Sequence, residues 1–127
     1  MLAALAASLL ASPAWATQGL GCVSPDGGTQ ISLSLGSAGG LAIVGARMQA
    51  DGQSWVTDPA YGDGDIFTIG QRFADESGLK VDFFDDILND RVAELRLSRA
   101  EDGADLVFAG TLRIVDLGAW ALSCDEQ

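Results

Sequence analysis

The sequence predicts an all-β fold, a small antiparallel meander barrel of about eight strands, and three observations carry that expectation. Apolar and polar residues alternate with a period of two along most of the chain. Turn dipeptides interrupt the alternation at short intervals. The two cysteines, Cys22 and Cys124, lie far apart, one early in the chain and one near its end.

Residues 1–16 are expected to be a signal peptide and residues 17–127 a single all-β domain. From Leu2 to Ala11 every residue except Ser8 is Leu or Ala, and Ala14-Trp15-Ala16 supplies the small-x-small pattern cut by signal peptidases, which makes Thr17 the first residue after cleavage. The apolar run is too short to span a bilayer. No Lys or Arg precedes it, so the true start is expected upstream. Gly19-Leu20-Gly21-Cys22 lies beyond the cleavage site, and lipid anchoring through Cys22 is not expected. No second long apolar segment follows, and the exported domain is expected to be soluble in the periplasm or outside the cell.

Within residues 17–127, Asp26-Gly27-Gly28, Gly39-Gly40, Asp51-Gly52, Gly62-Asp63-Gly64, Ser77-Gly78, Asn89-Asp90, Asp102-Gly103 and Gly118 mark turns, several of them using glycine for a positive φ. Between these points one face of each segment is apolar. Ile31, Leu33 and Leu35 form the first such face, and Phe67, Ile69 and Phe73 another. Leu79, Val81 and Phe83 follow, then Ala93, Leu95 and Leu97, then Leu106, Phe108, Leu112 and Ile114. The predicted inward set is Leu33, Ile43, Phe67, Ile69, Phe73, Val81, Phe83, Leu95, Leu97, Phe108, Leu112, Ile114, Trp120 and Leu122, large enough to fill a small barrel and leave little room for a ligand. One helical turn is allowed near Asp86 to Asn89, ahead of a strand starting at about Arg91.

A meander of this length either closes into a barrel or splits into a β-sandwich. The cysteines favour closure. Two cysteines in an exported chain most simply pair, and a bond between the first and last strands brings together the two edges a barrel must join. A redox role would need a close C-x-x-C pair, which the spacing does not provide.

Charge and composition narrow the function. Eighteen Asp and Glu against seven Lys and Arg leave a net charge of −11, and there is no histidine. Histidine-based triads, Cys-His pairs and histidine-ligated metals are therefore excluded, and the acidity argues against nucleic acid. It favours a cationic protein or peptide as partner. The loop carrying Asp58, Asp63 and Asp65 offers calcium-type ligands but lacks the EF-hand spacing. Asp82, Asp85, Asp86 and Asp90 form a second acidic group, of the kind that glycoside hydrolysis needs only when one acid sits in a cleft. Ser24, Ser77 and Ser98 have no nucleophile frame, with Lys80 as the sole lysine to serve as a base. Trp55 and Tyr61 flank the acidic loop and are candidates for a contact surface, set against packing of Trp55 over the barrel end.

Cys22 followed by Ser24-Pro25-Asp26-Gly27-Gly28 and a strand, a run of hairpins, and a last strand ending in Cys124 resemble the layout of small periplasmic inhibitors of C-type lysozyme. That resemblance implies an eight-stranded barrel with a disulfide linking its terminal regions, and a Ser and a Lys that enter the lysozyme cleft. Ser77-Gly78-Leu79-Lys80-Val81 matches the family's Ser-Gly-x-x-Tyr hallmark at Ser77 and Gly78 and has Val81 at the Tyr position. The family's Tyr-x-x-x-Thr-Lys-Gly motif is absent.

The sequence therefore predicts a non-enzymatic binding protein without cofactor. Its candidate contact residues are Trp55, Tyr61, Ser77 and Lys80. A small-ligand or calcium-binding envelope module and a structural protein of the periplasm are the alternatives.

Overall fold

The computed structural model describes residues 18–36 and 42–126. The predicted signal peptide, its cleavage site and the Gly39-Gly40 turn lie outside the described residues.

Among the described residues nine strands form one closed barrel: β1 (Gln18–Val23), β2 (Gln30–Leu35), β3 (Ile43–Ala50), β4 (Gln53–Val56), β5 (Asp65–Asp75), β6 (Gly78–Asp85), β7 (Arg91–Asp102), β8 (Asp105–Ile114) and β9 (Gly118–Glu126). The barrel, not the sandwich, is the architecture. Each strand lies beside its neighbour in sequence, and β9 returns to β1. The expected meander is broken at one point, because β4 and β5 pair in parallel through Trp55↔Asp65 and Val56↔Ile66. The connection between them carries the chain back along the wall before β5 begins. Asp58 starts it as an N-cap, accepting from the Ala60 amide at 2.8 Å, and a single 3₁₀ turn follows at Pro59–Tyr61. Thr57, just ahead of it, ties this segment to Ala46 on β3.

Closure occurs where the cysteines predict it. Cys22 and Cys124 stand directly opposite each other in the antiparallel β1–β9 pair, their sulfurs are bonded, and their Cα atoms lie 4.0 Å apart.

Inward residues fill the centre with side chains. Ile31, Leu33, Met48, Phe67, Val81, Phe83, Leu95 and Leu112 are fully buried, and the rings of Phe67 and Phe83 stack at 4.8 Å between centroids. Ile69, Phe108 and Trp120 are partly buried against this core.

Phe73 corrects the predicted inward set, since it is 57% exposed. The cause is a bulge. Ile69 pairs with Phe83 and Arg72 with Val81, so three steps along β5 match two along β6. One extra residue reverses every later side chain, which sends Phe73 outward opposite Lys80. The glycine at Gly70 also lets the Phe84 ring lie against the backbone there, in space that any Cβ would occupy.

Candidate binding surfaces

Strand directions alternate everywhere except at β4–β5, so the turns β1–β2, β3–β4, β6–β7 and β8–β9 all emerge at one end of the barrel. Asp26, Asp51, Asp86, Asp90 and Asp116 lie in these turns, and none of the turns contains Lys or Arg. This end is acidic by sequence and by topology together.

The β6–β7 turn is the most constructed feature of that end. Asp85 holds it from one side, its carboxylate accepting from the Asn89 amide at 2.7 Å and the Asp90 amide at 3.2 Å. Its backbone also pairs with Asp90, and its carbonyl accepts from the Leu88 amide. The allowed helical turn is thus a single hydrogen-bonded hairpin turn, and the strand after it begins at Arg91. Within this frame Leu88 adopts a φ of 58°, a left-handed conformation unfavourable for a bulky side chain. Ile87 and Leu88 are 73% and 57% exposed. The turn therefore holds a strained backbone while presenting two large apolar side chains to solvent. Beside it, a groove of about 460 Å³ is lined by Trp55, Asp90, Arg91, Val92, Ile114 and Asp116.

A second feature covers the outer wall of β5 to β8. Arg72, Lys80, Arg91, Arg96, Arg99 and Arg113 lie on these four strands, leaving Arg47 as the one cation elsewhere. Asp82, buried on the outer face of β6, organises part of this wall. Its carboxylate receives Arg96 at 2.8 Å and faces Arg91 at 3.6 Å, while Glu94 takes Arg91 at 2.7 Å and Arg113 at 3.6 Å. Arg96 also donates to the Val81 and Leu95 carbonyls. Arg91 sits 5.8 Å over the Phe84 ring.

The structure distributes the sequence-predicted site residues over separate places. Trp55 is 8% exposed, pairs with Met48 and belongs to the core, so of its two expected placements the packed one is found. Tyr61 is packed on the outside of the barrel over Gly45, where a Cβ would collide with its ring. Ser77 and Lys80 do come together, in a groove of about 250 Å³ at the β5–β6 hairpin that also includes Ser98. The Ser77 hydroxyl and amide both donate to Asp75, and the hydroxyl, chiefly, holds the Asp75 carboxyl below its ordinary range. Ser24 is similarly committed: its hydroxyl donates to Asp26 at 2.7 Å, which with the Gly28 amide lowers the Asp26 pKa.

The calcium candidates do not converge. Asp58 is engaged in capping, Asp63 and Asp65 are exposed, and among the described residues no three acidic, histidine or cysteine side chains form a group able to hold a metal ion. Sequence reasoning missed Ile87 and Leu88, although two large apolar residues inside an Asp-rich turn were a readable signal.

No protein-family model, curated protein or solved structure matches this chain. The fold and surfaces define a class all the same: a disulfide-closed, side-chain-filled β-barrel bearing an exposed apolar turn among acidic residues at one end. The closed barrel and its joined cysteines loosely match the layout implied by the lysozyme-inhibitor resemblance, with nine strands in place of eight and one parallel pair. Among the described residues no helix is long and apolar enough to cross a membrane. The disulfide is compatible with an oxidising, exported location.

Proposed function

We propose that this chain is an exported, non-enzymatic binding protein that seats its Ile87–Leu88 turn in an apolar pocket of a basic protein, in the manner of a protein inhibitor. One observation carries the reading: two exposed large apolar side chains on a strained turn braced by Asp85. Exposed apolar groups on a rigid frame lose little conformational entropy on binding, which is how a small contact becomes a specific one. The charge of the partner follows from the surroundings. Asp86, Asp90 and Asp116 flank the apolar tip, so a matching pocket carries Lys or Arg on its rim.

Ser77 and Lys80 fit this partner less well. The Ser77 hydroxyl is already bonded to Asp75, and Lys80 faces Arg96 across the strand pair, which repels a cationic surface.

The test titrates the oxidised domain, residues 17–127, against C-type lysozyme and a panel of other cationic proteins at low salt, by calorimetry. At least one should bind, with affinity falling as salt rises and lost in Ile87→Asp. Binding that persists unchanged in Ile87→Asp, or no binding across the panel, defeats the proposal.

A further inference from the structure

We infer that the outer wall of β5–β7 is a second, separate site, for a small organic anion carrying a flat apolar ring. The strand register aligns its parts in one row. Phe73 pairs with Lys80, Lys80 pairs with Arg96, and Arg96 pairs with Thr111, all on the outer face. The row thus puts an exposed aromatic ring next to two cations.

Three features distinguish this row from an ordinary solvated face. Lys80 and Arg96 are directly opposed like charges, an unfavourable pairing that Asp82, bonded to Arg96, and Asp75, near enough to Lys80 to feel its charge, offset in part. Lys80 has no ion pair within 4.0 Å among the described residues, whereas Arg96 is anchored by the Val81 and Leu95 carbonyls and by Asp82. Phe73 is exposed because the bulge at Gly70–Gln71 turns it out of the core, in the half of β5 from Gln71 to Asp75 that is exposed throughout. Bulges commonly re-aim a side chain next to a site.

The groove over this row has a volume of about 360 Å³ and is lined by Gln71, Arg72, Phe73, Lys80, Asp82 and Arg96. Such a volume matches a small molecule. Phe73 and Lys80 lie one strand spacing apart, about 5 Å, which is the length of one ring with an attached acid group. Asp82 is shared between Arg96 and Arg91, Glu94 takes Arg91 and Arg113, and Asp75 lies near Lys80, so three carboxylates stand against the five cations Arg72, Lys80, Arg91, Arg96 and Arg113 and the wall keeps a net positive charge. A long polyanion is disfavoured, because it would run from this wall onto the acidic turns of a chain with net charge −11. The acid group of the ligand lies between Lys80 and Arg96, and its ring lies on Phe73.

The experiment is an amide NMR titration of the intact oxidised domain with benzoate. Inorganic phosphate, an anion without a ring, and benzyl alcohol, a ring without charge, serve as comparisons. Benzoate should give saturable shifts at Phe73, Lys80 and Arg96 with a dissociation constant at or below about 1 mM. Lys80→Glu and Phe73→Ser should each weaken it at least about tenfold, with Lys80→Arg retaining binding. Both altered residues are exposed, and an unchanged thermal midpoint shows that the fold is intact. Absence of saturable shifts with benzoate, equal binding of phosphate and benzoate, or an unaffected Lys80→Glu variant each overturns the proposal. The Ile87→Asp variant should bind benzoate normally, so this site and the acidic end fail or succeed independently.

Discussion

Reducing the Cys22–Cys124 bond in the otherwise unchanged protein should remove a large share of its stability. The bond joins residues 102 positions apart, so it closes almost the whole folded chain into one loop. Loop-closure entropy for a loop of that length corresponds to about 4.7 kcal/mol at 25 °C, acting through the unfolded state. Domains of this size are stable by only about 5–15 kcal/mol, so the barrel should survive reduction with a small margin. Urea unfolding of the oxidised and reduced domain measures the difference. With a slope of about 2 kcal/mol/M, the midpoint should fall by about 2 M. The slope itself should rise on reduction, because an uncrosslinked unfolded chain exposes more surface. Reduction is the cleaner perturbation. Replacing the cysteines with alanine would also remove buried side-chain volume, since both are in the core. Equal midpoints in the two states would refute the reasoning, and would mean that the β1–β9 backbone ladder and its packing alone keep the barrel shut.

Leu88→Asn should stabilise the fold by about 0.5–1 kcal/mol, because Asn tolerates the left-handed backbone better, while weakening partner binding; a higher thermal midpoint with lower affinity is the expected pair of readings. Gly45→Ala should destabilise by about 1–3 kcal/mol as its Cβ displaces Tyr61, and Tyr61→Ala in the same chain should recover much of the loss in a double-mutant cycle. Asp82→Ala should cost about 1–2 kcal/mol by urea unfolding, a figure tempered by the partial exposure of Arg91 and Arg96. Asp26 and Asp75 have folded pKa values lowered by the hydroxyls of Ser24 and Ser77, so their contribution is present above the unfolded value of 3.8 and disappears as pH falls through the lower folded values. Ser77→Ala should therefore lower stability in the neutral region and flatten the acid limb of a stability-versus-pH curve, with the two curves converging below the folded pKa.

The alternation of Ile31, Leu33 and Leu35, and that of Ala93, Leu95 and Leu97, was sufficient to assign strands and their inner faces. A period of two identifies which residues share a face without reference to any partner strand. The cysteines near the two ends of the domain likewise pointed to the closing pair, because a disulfide is a short-range constraint written as two residues.

Phe73 marks where that legibility stops. Its spacing from Phe67 and Ile69 is even, so alternation alone puts it inside, and one unpaired residue in β5 puts it outside. An insertion of that kind exists only relative to β6. The parallel β4–β5 pair, the burial of Trp55 and the alignment of Phe73, Lys80 and Arg96 share this dependence. Local sequence determined strands, turns, acidity and the staple, since each is set by a residue and its near neighbours. Register and wall composition were decided by the tertiary structure, since they depend on which strand lies alongside and by how many residues the two are offset.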